Sequence, residues 1–171
     1  ASGAADGMGH TIIVLNNSAT DYSSGGKTIT FTGTNENGDV ITEAIAGPGA
    51  SVTSSTTKYF KTVTSAVSNF TRSATDSFDI GWNAASAGPW FRPYLESVAP
   101  INLGIAVAWT SGTYSVSYTY DGVTWTAPTA LSGKGAAAVD VSVLPAIAWR
   151  QTYTVLGTTT LTFVQAGPVG N

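Results

Sequence analysis

The chain has no cysteine, a single histidine and a single methionine, and few charges: seven Lys and Arg against ten Asp and Glu in 171 residues. Without cysteine there is neither a disulfide frame nor a thiolate metal site, so the fold stands on packing and the redox compartment is not readable. Charged residues make up 10% of the chain, against about 25% in an average soluble domain. The net charge of -3 and a pI near 4.8 leave no basic stripe for phosphates, so nucleic acid is not an expected partner. No stretch approaches the roughly 18 uninterrupted apolar residues of a membrane span, and ASGAADGMGH has no basic segment leading into an apolar one. Neither a membrane nor an export signal is expected. A first residue of Ala fits removal of an initiator Met or proteolytic trimming equally well.

Thr, Ser and Gly take the place of the missing charge. Thr suits exposed strand faces, whereas Lys, Glu and Gln, which fill exposed helix faces, are scarce. The composition is all-β, and the order of residues agrees. In Lys27 to Ser65, Ile29 and Phe31 alternate with threonines, the period of a half-buried strand. Asn35-Glu36-Asn37-Gly38 then predicts a tight turn, with Asn37-Gly38 as the pair that reaches positive φ most easily, and a return strand over Asp39 to Ala46. Gly47-Pro48-Gly49 ends that strand, because Pro48 has no amide hydrogen for a ladder. A third strand near Lys58 to Thr64 completes an expected meander. Residues 1–10 read as a flexible arm. Ile12 to Leu15 read as a first strand buried on both faces, and Phe78, Ile80 and Trp82 as a closing strand.

Small residues, glycine and proline around Trp90-Phe91-Arg92-Pro93 mark a composition change near Ala87, which divides the chain into units 11–86 and 87–171. The second unit opens on Ile101, Leu103, Ile105, Val107 and Trp109 in alternation, a core row. Ser111-Gly112 turns the chain, Tyr114, Val116, Tyr118 and Tyr120 alternate, and Asp121-Gly122 is the next hairpin turn. Strands follow over Ala136 to Leu144, with Val139, Val141 and Val143 in phase, then Ile147 to Val155 and Thr158 to Ala166. The expected fold is two β-sandwich or jelly-roll-like units, or one continuous jelly roll, with essentially no helix.

Residues able to do chemistry are thinly spread. His10 lies in the expected arm, with no packed setting for a catalytic base, and reads as exposed or facing a partner. Asp6, Asp21, Glu36 and Asp39 fall in tail or loops, and Asp76 and Asp79 flank a strand, so no facing acid pair of the glycosidase kind emerges. Glu43 is in phase with Ile41 and Ile45, and an inward charge there marks an edge strand. Asn35, Asn37 and Asp39 lack the later bidentate Glu of a calcium loop. Asp121-Gly122-Val123-Thr124-Trp125 is similar to the Asp-box turn of propellers, one residue short, and reads as a turn with a buried Trp. Trp90 and Phe91 are the aromatics expected to be exposed, and Trp90, Phe91, Arg92 and Pro93 form the candidate interface. No catalytic residue, metal or cofactor is expected.

Thr32 to Gly38, Thr42-Glu43, Gly47-Pro48 and Lys58 to Thr64 together resemble a segment recurrent in virion proteins of tailed bacteriophages. SGTYSVSYTYDG and LTFVQAG are similar to the second part of the same small proteins. The resemblance implies a non-enzymatic capsid decoration, or cement, protein, made in the bacterial host cytoplasm and carried on the outside of the virion. It would bind the phage major capsid protein and copies of itself, as a homo-oligomer with a trimer the expected order. A tail, neck or fibre component is the alternative within the class, and a carbohydrate-binding β-sandwich module the alternative outside it.

Overall fold

The computed structural model describes residues 2–93, 102–142, 146–155 and 157–166. The protein is all-β in a sandwich-like arrangement of antiparallel sheets, and the one helical element among the described residues is a single 3₁₀ turn at Thr129–Leu131. Two compact units cover residues 1–86 and 87–171.

The strands of the first unit are β1 (Ser2–Gly3), β2 (Gly9–Asn16), β3 (Thr28–Thr34), β4 (Val40–Ala46), β5 (Thr53–Ser55), β6 (Thr62–Ser68) and β7 (Phe78–Ala87). One sheet runs β1-β6-β3-β4, and β2 lies between β5 and β7 in the other. Alternation in β3 works as its residues dictate: Ile29 and Phe31 are buried, and the threonines between them are half-buried. These two side chains meet Ile12, Val14, Ile45 and Phe60 in the core, with Phe31 and Phe60 in edge contact at 6.4 Å. Each such apolar side chain contributes about 1.5–3 kcal/mol when taken fully out of water.

The expected meander is corrected in one respect. After Gly47-Pro48-Gly49 the chain does not return beside β4. It crosses to pair β5 with β2 and comes back as β6 on the far side of β3. The third strand is therefore Thr62–Ser68 rather than Lys58 to Thr64, and β3 is central. The arm is also shorter than expected. His10 already lies in β2, buried, and bridges Phe60, because the amide and carbonyl of residue 10 find partners at 2.7 and 2.8 Å on Phe60. Ile80, expected in the closing row, is 52% exposed. The sandwich is underfilled there. Ala66 and Gly81 line a cavity of about 170 Å³, together with Ile12, Phe31, Val63, Ile80 and Trp82.

The second unit holds β8 (Asn102–Trp109), β9 (Thr113–Thr119), β10 (Ala138–Ser142), β11 (Ala148–Val155) and β12 (Thr159–Ala166). β8 is central in a sheet of order β10-β8-β12, and β9 pairs with β11. Leu103, Ile105 and Val107 form the buried row that alternation predicts. Two members of predicted rows do not join the core. Trp109 is 39% exposed, its indole N–H donating 2.9 Å to the Gly112 carbonyl, and Val139 is 75% exposed. Trp109 ends its strand, and β10 is an edge strand of this sheet, so in both places the alternation runs past the buried region. Ser111-Gly112 joins β8 to β9 in different sheets, so it is an arch between layers and not a hairpin. Ile101, Val143 and Leu144 lie outside the described residues.

Candidate functional site

The first hairpin turn is organised by a residue that the Asn-Gly signal did not single out. The Asn35 side-chain oxygen accepts the amides of Asn37 and Asp39, each at 2.9 Å, and its amide group donates to the Asp39 carboxylate at 3.1 Å. Gly38 takes φ 91, as expected, and its amide donates 3.1 Å to the Asn35 carbonyl. The available signal was the side chain itself: Asn opening a turn can bond the backbone two residues on. The same bonds occupy the polar groups proposed for calcium. Among the described residues no group of three His, Asp or Glu is placed to hold a metal ion.

Glu43 points into the layer on the edge strand β4 and there meets the 56–58 loop. Its carboxylate accepts the Thr57 amide at 2.8 Å, the Thr57 hydroxyl at 2.9 Å and the Lys58 amide at 2.8 Å. Lys58 in turn donates from Nζ to the Thr42 carbonyl at 2.8 Å. An inward carboxylate is thus satisfied by orphan loop amides and holds that loop over the edge of the sheet.

His10 is neither exposed nor facing outward, which corrects the sequence reading. Its Nδ1 lies 2.7 Å from the Asn83 carbonyl and its Nε2 lies 2.9 Å from the Asp6 carboxylate, with the Trp82 ring 6.3 Å away. Neither nitrogen is left over to take a proton from a nucleophile. Burial raises the Asp6 carboxyl, but the Met8 amide and His10 outweigh it and hold the group below its usual range. Tyr22 donates to Asp76, and that bond leads the causes that lower the Asp76 carboxyl. Asn16, fully buried, donates to the Thr20 and Gly49 carbonyls at 2.7 and 3.0 Å and so ties two loops to the end of β2.

In the second unit two groups singled out separately come together. The Asp121-Gly122 turn is closed by paired backbone bonds between Tyr118 and Thr126, both 2.9 Å. Asp121 Oδ1 accepts the amides of Val123 at 2.8 Å and Thr124 at 2.7 Å, and these two bonds hold its carboxyl far below the ordinary range. Gly122 takes φ 76 beneath the Trp90 ring. Trp125 is half-buried rather than buried. It meets Trp90 edge-on at 5.1 Å, and the Arg150 guanidinium lies 4.1 Å from its ring centroid.

Phe91 is likewise built into the unit. It exchanges backbone bonds of 2.7 and 2.8 Å with Trp149 and stacks on Phe163 at 4.2 Å with the rings 6° apart. Arg92 is exposed and lies 5.3 Å from the Trp90 ring centroid, and Pro93 is half-buried. The segment therefore offers Arg92 and part of Trp90 to solvent rather than an open row of aromatic faces. Arg150 was missed because nothing in sequence spacing connects it with Trp125. Compared with known proteins, the chain matches no family model, no curated protein and no solved structure.

Proposed function

We propose that the protein is a non-enzymatic structural component of a tailed-phage particle, seated on the outside of the capsid as a decoration protein that associates with the major capsid protein and with itself. The reading rests on the resemblance carried by Thr32 to Gly38, Thr42-Glu43, Gly47-Pro48 and Lys58 to Thr64. One structural observation supports it: the side chains best equipped for chemistry are engaged in holding turns and loops. Glu43 binds the Thr57 and Lys58 amides, Asp121 the Val123 and Thr124 amides, and His10 both Asn83 and Asp6. A component of this kind adds mechanical stability through many modest contacts, each slowing the loss of the others.

Particles stripped of the protein should rebind it, isolated capsid subunits should bind it much more weakly, and density for the chain should appear on the shell. Failure to rebind, with density in the tail or neck, replaces the capsid reading with the tail-component reading.

A further inference from the structure

The two edges of the four-stranded sheet are treated differently. At β4 the edge is obstructed. The Thr42 carbonyl is taken by Lys58 Nζ, and the 56–58 loop is fastened across the strand by Glu43. At the other side, β1 pairs only with Thr62 and Val63 of β6. The remaining five residues, Thr64, Ser65, Ala66, Val67 and Ser68, are all exposed. They carry no charge and no proline, and Val67 is 60% exposed. Edge strands normally resist further pairing through charge, proline, bulges or cover; beyond the bulge near Thr64 this one has none of these.

The direction of the free backbone groups follows from the ladder. The Asn69 amide donates to the Thr28 carbonyl, and β6 continues in antiparallel register with Val67 opposite Thr30 and Ser65 opposite Thr32. Backbone groups alternate sides along such a strand. Ser65 and Val67 therefore face β3, whereas Ala66 and Ser68 present their N–H and C=O outward.

We infer that this edge pairs with the same edge of a second copy, β6 against β6 in antiparallel register about a two-fold axis at Ala66. Only registers that bring outward-facing residues opposite one another form bonds. Centring the five-residue window on itself does so, placing Ala66 opposite Ala66 and Ser68 opposite Thr64, with Ser65 opposite Val67 on the outer face. An uncharged strand meets its own copy without the like-charge repulsion that would oppose a charged one. A two-fold interface uses one patch on both molecules and closes on itself. The obstructed β4 edge does not offer the complementary surface that a head-to-tail ring needs, so the assembly has two-fold rather than three-fold order. This pairing is independent of the particle reading and stands or falls in solution without any capsid.

The absence of cysteine makes the test clean. Opposed Cα atoms in such a pair lie about 5.5 Å apart, within the roughly 4.4–6.8 Å that a disulfide spans. Ala66→Cys should give a disulfide-linked dimer as the main species on mild oxidation, while Ala44→Cys on β4 should stay monomeric. Sedimentation of the unmodified protein should give a dimer. Ala66→Pro should give a monomer with an unchanged circular dichroism spectrum, since the amide it removes faces away from β3. Ser65→Pro removes an amide of the internal ladder, and should lower the melting temperature more than Ala66→Pro does. A monomeric unmodified protein, a dimer that survives Ala66→Pro, or equal cross-linking at positions 44 and 66 would each overturn the pairing; a monomer that binds foreign strands at β6 points to a different occupant.

Discussion

Gly33 and Gly38 lie in one hairpin and resist substitution for different reasons. Gly38 sits at φ 91 with open space where a Cβ would go, so the obstacle is backbone conformation, and Gly38→Val should destabilise by about 1–3 kcal/mol. At Gly33 the strands β3 and β6 come so close that a Cβ would land on the Thr62 carbonyl, which is backbone and cannot rotate away. Gly33→Ala should therefore cost more than Gly38→Val in urea unfolding, despite adding less; the reverse order would remove the close approach from the account. Asp121 acts more locally. Asp121→Ala leaves the Val123 and Thr124 amides without their acceptor, so both should exchange hydrogen faster and Trp125 fluorescence should shift to the red, while core amides keep their protection. The Asp-Gly pair made this turn legible; that Trp90 lies over Gly122 was not, because it depends on a residue some thirty positions away in sequence.

At the scale of elements, strand identity followed from alternation, and strand partners did not. Ile29, Phe31 and their threonines announce β3, but whether β6 pairs with β4 or β3 is decided by the excursion of β5 to the other sheet. Nothing periodic in Thr62–Ser68 distinguishes the two outcomes. Glu43 shows how far a single residue carries such reasoning. Its phase with Ile41 and Ile45 marked an edge strand, and β4 is at the edge of its sheet, but the loop amides that receive the charge lie fourteen and fifteen residues away. Glu43→Ala should cost about 1–2 kcal/mol, since charge-assisted bonds at a half-exposed position are partly screened. It should also make the bond after Lys58 more susceptible to trypsin. Unchanged cleavage there would mean that the loop is held by other contacts.

For the molecule as a whole, stability comes from two cores without a covalent tie. Phe31 is fully buried among Ile12, Phe60 and their neighbours, and Phe31→Ala should cost about 3–5 kcal/mol by the loss of transfer energy and the cavity left behind. The acid response has a definite sign. The carboxyls of Asp6, Asp21, Asp76 and Asp121 all lie below their ordinary value in the folded state. The unfolded chain binds protons to these groups first as pH falls. Their contribution is fully present above the ordinary carboxylate range of about 4 and is lost as pH drops through the lowered values. The melting temperature should therefore fall progressively below about pH 4; a flat profile down to pH 2 would contradict these shifts.

What the sequence determined by itself is the class of structure. Scarce charge, abundant Thr, period-two alternation and Asn-Gly and Asp-Gly pairs specify exposed and buried strand faces locally, and such choices need only neighbouring residues. Tertiary structure alone decided which strands share a sheet, that His10 is clamped between Asn83 and Asp6, and that Trp90, Trp125 and Arg150 meet. These contacts join residues far apart along the chain. Their closure is set by how whole layers pack, a global energy that no local pattern encodes.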